Sequence, residues 1–140
     1  MSTDIKFGDE HVQQYRESNG EEGFEWRNGT HILLLTTTGR KTGNETTAPL
    51  IFGMDGDNPV VVASKGGSPD HPGWYKNLVK NPDAEVQIRD EVFRVRARDA
   101  EGEERERLWK MMNGHWPDYD QYQTKTDRQI PVVVLERTSD

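Results

Sequence analysis

At 140 residues the chain has the length of one domain with a single core, and without cysteine it has neither a disulfide framework nor a thiolate metal site. A net charge of -7 argues against a nucleic-acid partner, because a phosphate backbone would be repelled. Residues 1–10 are polar and acidic, unlike a secretory leader, and no apolar run approaches the ~20 residues of a membrane-spanning helix.

The first 30 residues read as an N-terminal arm. Residues 11–18 fit a short helix with Val12 and Tyr15 on one face, ended by Ser18-Asn19-Gly20. Phe24 and Trp26 then stand in a polar stretch, where they either seal an edge of the core or belong to a lid over a pocket. Residues 32–38 are apolar enough for a strand buried on both faces. They run into Gly39-Arg40-Lys41-Thr42-Gly43, a turn with two adjacent cations. Residues 46–52 form a second strand, in which Pro49 marks an edge or a bulge, and a turn at 54–58 leads to a third strand at 60–64. The glycines of Lys65-Gly66-Gly67-Ser68-Pro69 break the pattern. A helix is expected over 71–80, capped by Ser68 or Asp70 with Pro72 in its first turn, and stopped by Asn81-Pro82.

Two alternating strands follow. Ala84, Val86 and Ile88 face inward on the first, Phe93, Val95 and Ala97 on the second, with Arg94, Arg96 and Arg98 on a solvated face opposite Glu85 and Gln87. Residues 101–113 form a charged helix with Leu108, Met111 and Met112 as its apolar stripe and Gly114 as its C-cap. Trp116, Tyr119 and Tyr122 recur every third residue on one side of a short helix, and residues 130–136 are a last, strongly apolar strand. Six mostly short strands interrupted by helices predict a mainly β fold, an antiparallel sheet curled into a barrel, without the alternation of a doubly wound fold. The chain thus divides into an arm or lid at 1–30 and a barrel domain at 31–140.

Common catalytic sets are missing: there is no cysteine nucleophile and no G-x-S-x-G, and the four histidines lack metal-ligand spacing, so no metal is expected. The Gly39–Gly43 turn lacks P-loop spacing and leads into a strand, which argues against nucleotide hydrolysis. Its N–H groups, with Arg40 and Lys41, can still converge on a phosphate. Ser64-Lys65-Gly66-Gly67 lets backbone approach a ligand closely, with Lys65 to meet negative charge. Trp74, Tyr75, Trp116, Tyr119 and Tyr122 offer flat apolar surfaces, the tyrosines with hydroxyl edges. Together these features suit a flat, aromatic, phosphate-bearing ligand of flavin type.

The stretches LLLTTTGRKTG, SKGGSPDHPGWYKNL, NPDAEVQI and WPDYDQYQTKTDRQIPVVVL resemble the deazaflavin-dependent nitroreductase family, coenzyme F-420-dependent oxidoreductases of actinobacteria that include quinone reductases. The similarity runs over residues 11–136. It implies an antiparallel split β-barrel (FMN-binding split-barrel-like) and coenzyme F-420 (8-hydroxy-5-deazaflavin) as cofactor. It implies hydride transfer to a small-molecule quinone or nitroaromatic acceptor, in a cytoplasmic protein that meets the membrane only through its quinone. The cofactor-binding positions implied are Arg40, Lys41, Thr42, Gly43 and Pro49; Ser64, Lys65, Gly66 and Gly67; and Gly73, Trp74, Tyr75, Lys76 and Asn77. Trp116, Tyr119 and Tyr122 would line the substrate pocket, with Tyr119 and Ser64 hydrogen-bonding the acceptor as charge develops. The chain departs from the family at Thr46, beside Glu45, where many members carry arginine, which implies either weaker tail or phosphate binding or anchoring moved to Lys65 or Lys76. It also has Trp116 where relatives often carry tyrosine. Alternatives are a non-catalytic deazaflavin- or flavin-binding protein, and an FMN-dependent oxidase on the same barrel.

Overall fold

In the computed structural model, which describes residues 9–26 and 29–138, six antiparallel strands close into a barrel. In chain order they are β1 (His31–Thr38), β2 (Glu45–Asp55), β3 (Asn58–Val62), β4 (Asp83–Ile88), β5 (Glu91–Asp99) and β6 (Val132–Arg137). Around the barrel they run β1-β2-β3-β6-β5-β4. Four α-helices among the described residues surround it: α1 (Asp9–Ser18), α2 (Gly73–Lys80), α3 (Gly102–His115) and α4 (Asp118–Thr124).

β1 pairs with β2 on one side and β4 on the other, and its Ile32, Leu33, Leu34 and Leu35 are all buried. Consecutive apolar residues fit such a strand because α1 and α2 pack over the outside of this wall, so both of its faces are covered. Where the outer face meets water the strands alternate instead. Ala84, Val86, Phe93 and Val95 point inward, while Arg94 and Arg96 are exposed. Arg96 pairs with Asp83, and Arg98 with Glu104 and Glu136, as on a solvated face. A two-residue loop, Arg89-Asp90, joins β4 to β5.

The arm packs on the barrel through Val12 and Tyr15, as the helical spacing predicts, and is tied to itself by the buried His11, whose Nε2 lies 2.8 Å from the Gly23 carbonyl oxygen. Phe24 joins the core and stacks on His31, sealing an edge, whereas Trp26 is exposed to a cavity described below.

Several boundaries differ from expectation: β2 runs on to Asp55, β3 starts at Asn58 and β6 starts at Val132. Helix α2 begins at Gly73, after an extended Pro72 whose carbonyl accepts from Tyr75 and Lys76; neither Ser68 nor Asp70 caps it. Asp70 accepts from the Lys76 ammonium instead. Helix α3 continues through Gly114 and closes at Trp116, whose N–H donates to the Met112 carbonyl. β3 stops at Val62, two residues short of the expected end, and has already parted from β2 after Val60 while still paired with β6.

Candidate active site

The barrel is split on one side. β2 pairs with β3 only over Gly53–Asp55, so residues 45–52 of β2 have β1 as their sole ladder partner. Pro49, in this stretch, is tolerated there because a missing N–H is least harmful beside an unpaired edge. The same register carried further would set Ile51 opposite Val62, but that pairing is open. A cavity of about 310 Å³ occupies the gap, with Leu50, Ile51 and Val62 as its apolar floor.

Three other segments complete the walls. Ser64, Lys65 and Gly66 form one, Pro72 and Trp74 a second, and Trp116, Tyr119 and Tyr122 a third. Trp26 from the arm stacks on Trp116 at 5.4 Å between ring centroids. Trp116 Nε1 donates to the Tyr122 hydroxyl at 3.2 Å. Tyr119 is 4% exposed, and its hydroxyl has no hydrogen-bond partner among the described residues, so the cavity is where that donor can be used. Burial, with a smaller contribution from Tyr122, pushes its phenol well above the ordinary tyrosine value, so it stays protonated.

The Ser64 wall has unusual backbone. Ser64 is right-handed (φ -80°, ψ -40°), while Lys65, Gly66 and Gly67 are all left-handed, with φ of 46°, 64° and 84°. A right-handed residue followed by a left-handed one turns successive N–H groups into one concavity, an arrangement that receives anionic oxygen. The Lys65 side chain is exposed beside it. Gly67 is required by closeness as well as by φ, since a Cβ there would lie 2.7 Å from the Tyr122 carbonyl oxygen.

Other expected cofactor residues stand behind the walls. The Arg40 N–H and Nη1 donate to Asn77 Oδ1 at 3.1 and 2.9 Å, and the Lys80 ammonium donates to the Arg40 carbonyl at 2.9 Å. The cation-bearing turn is thereby docked on α2, with Lys41, Thr42 and Gly43 exposed at its tip. Asn77 itself is buried, and its Nδ2 reaches Thr37 and Thr46, so Thr46 belongs to the network that holds this turn. Gly73 lies beside Arg40, and Lys76 is occupied with Asp70. Tyr75 turns to the opposite side of α2, where its hydroxyl donates to Asp99 at 2.6 Å.

Two features escaped the sequence reading. Leu50 and Ile51 look like core residues until the missing ladder partner exposes them. Arg128 lies in the last of the family-like stretches without an expected role, yet its guanidinium reaches Ala63, Ser64, Ser68 and His71. Among the described residues no cluster of three potential metal ligands occurs, and no helix is long and apolar enough to cross a membrane.

A profile of the F420H(2)-dependent quinone reductase family matches residues 8–137. The chain belongs to this family. It is therefore an oxidoreductase that works with coenzyme F-420, and the family reaction is the reduction of quinones. An F420H(2)-dependent quinone reductase of Mycobacterium tuberculosis is 42% identical over 130 residues, 91% of this chain and 87% of that protein. A solved F420-H2 dependent reductase (FDR-A) is 48% identical, with a TM-score of 0.70, covering 75% of this chain and 93% of its own. A domain-swapped dimer is 41% identical with a TM-score of 0.73, covering 89% and 96%. These relatives establish the split barrel for this sequence. The cavity suits the coenzyme on its own evidence: tryptophan faces for a flat ring, a concave N–H turn with a lysine for anionic groups, and a buried phenol without a partner.

Proposed function

We propose that this protein reduces a quinone, or a nitroaromatic of similar shape, in the cavity between β2 and β3, taking a hydride from reduced coenzyme F-420. The observation that carries the reading is Tyr119, a buried residue lining the cavity whose hydroxyl has no hydrogen-bond partner among the described residues. When bound, the reduced deazaflavin supplies the hydride and the cavity supplies everything else. Lys65 and the Ser64–Gly66 N–H groups meet anionic oxygen, with Lys41 on the neighbouring turn adding attraction at longer range. Trp74 and Trp116 wall the flat rings and exclude water. Tyr119 and Ser64 donate to the acceptor oxygen as negative charge develops there, and their placement in a desolvated site makes that stabilisation larger than in water. Ser64 Oγ makes no hydrogen bond among the described residues and is free for this role.

Anaerobic mixing of protein, reduced coenzyme and menadione tests the reading. The oxidised deazaflavin absorption band should return much faster than without protein, and a nitroaromatic series run in parallel defines the acceptor class. Tight coenzyme binding with no acceleration for any acceptor would replace the enzyme with a carrier protein. A tightly bound FMN on purification would point to oxidase chemistry instead.

A further inference from the structure

We propose that Arg128 is the positioning residue of the Ser64–Gly66 wall, and that His71 makes its grip dependent on pH. The inference rests on the coenzyme site proposed above, because that wall is where anionic oxygen is received. The guanidinium spans the whole loop. Nε donates to the Ser68 carbonyl at 2.8 Å, Nη2 to Ser64 at 2.8 Å, and Nη1 to Ala63 at 3.1 Å, with His71 Nδ1 also 3.1 Å from Nη1. Apart from Gly67 to Ser64 and Ser68 to Lys65, these are the bonds that tie a run of left-handed residues in place. Arg128 is held in turn from α4: Gln123 Nε2 donates to the Arg128 carbonyl, and Gln123 Oε1 accepts from Ile130. One residue therefore couples the helix that bears Tyr119 and Tyr122 to the opposite wall of the cavity.

Lysine cannot substitute, because a point ammonium does not reach carbonyls on both sides of the loop as a planar fork does. His71 adds the proton dependence. A guanidinium only donates, so the imidazole must accept at Nδ1, which requires that nitrogen to be unprotonated. Burial first, and then the Arg128 charge, hold the imidazole below its ordinary value. Asp70 and Asp99 oppose this, Lys76 reinforces it, and the Tyr75 ring packs alongside. The folded clamp thus favours neutral His71; protonation as pH falls sets two cationic donors against each other and loosens the wall.

Hydrogen exchange of the protein alone reads the clamp without any coenzyme. In Arg128→Lys, the hydrogen-bonded amides of Gly67 and Ser68 should exchange about tenfold faster than in the parent, with β1 and β4 unchanged. Unaltered exchange there would overturn the positioning role. With coenzyme, Arg128→Lys should raise its KM about tenfold while kcat changes by less than about threefold. In the parent protein the coenzyme KM should rise as pH falls below about 6.5, the ordinary imidazole value, because the folded clamp holds His71 lower than that. His71→Asn, which keeps an acceptor oxygen and does not titrate, should flatten that rise. A KM independent of pH in the parent, or an unchanged rise in His71→Asn, would overturn the pH dependence. A parent protein that neither binds nor oxidises the coenzyme would reject the functional reading, and the exchange result would still decide the clamp.

Discussion

Asn77 joins three pieces of chain that are far apart in sequence. Its carboxamide receives the Arg40 N–H and guanidinium on the oxygen and offers its Nδ2 to Thr37 and Thr46. An alanine at this 4% exposed position leaves the Arg40 N–H without its partner, while Thr37 and Thr46 keep only each other, and a buried group so stranded costs about 1–3 kcal/mol. Urea unfolding of Asn77→Ala should show that loss, accompanied by weaker coenzyme binding as the cation-bearing turn comes free. Tyr119 makes a different prediction, because its hydroxyl holds nothing together. Tyr119→Phe should unfold like the parent but lower kcat by about 100- to 1,000-fold, the size expected for losing one donor to a developing oxyanion, with coenzyme affinity little altered. Reduced affinity at unchanged kcat would move Tyr119 from catalysis to binding. Lys65→Ala should weaken coenzyme binding, and the difference from the parent should shrink in high salt, since the ammonium is exposed and screened.

Among the elements, β2 and the arm decide access to the site. β2 runs from Glu45 to Asp55, but only its last three residues pair with β3, and the unpaired remainder becomes the cavity floor. The arm then brings Trp26 across the opening to stack on Trp116. Its main anchor is distant from the chemistry, in α1 and the buried Phe24, while Trp26 is half-buried and packs on the margin of the core. We expect Trp26→Ala to lower thermal stability less than truncation of Phe24 and to raise the KM for the quinone more than that for the coenzyme. Equal shifts in both would show that the arm shapes the whole cavity and is no acceptor-side cover.

At the scale of the whole molecule, barrel closure depends on β1, which lies between two partners and beneath two helices. Leu35 is completely buried there. Leu35→Ala should cost about 2–5 kcal/mol, depending on how far the cavity collapses. Exposed Val79→Thr, in contrast, should stay within about 0.5 kcal/mol of the parent. Denaturant midpoints of the two variants compare them directly.

Much of this architecture was legible in the residues because it depends on neighbours in the chain. The alternation of Ala84, Val86, Phe93 and Val95 needs only the two-residue period of a strand, although the turn between these strands, expected at Asp90-Glu91, falls one residue earlier at Arg89-Asp90. Ser64, Lys65, Gly66, Trp74, Trp116, Tyr119 and Tyr122, which meet at one cavity, announced themselves by residue type and by likeness to a family. Contacts across long separations were different in kind. Whether Ile51 meets a strand or a void depends on β3 leaving β2 to pair with β6, and the turn from which Arg128 reaches back about sixty residues exists only once α4 and β6 have docked. Tyr75 and Trp74 are adjacent in sequence, yet the helical turn sends one to the cavity and the other to Asp99. Periodicity and turn chemistry are local and can be read along the chain; the split in the barrel and the clamp on its wall come from closing a sheet, which no short segment encodes.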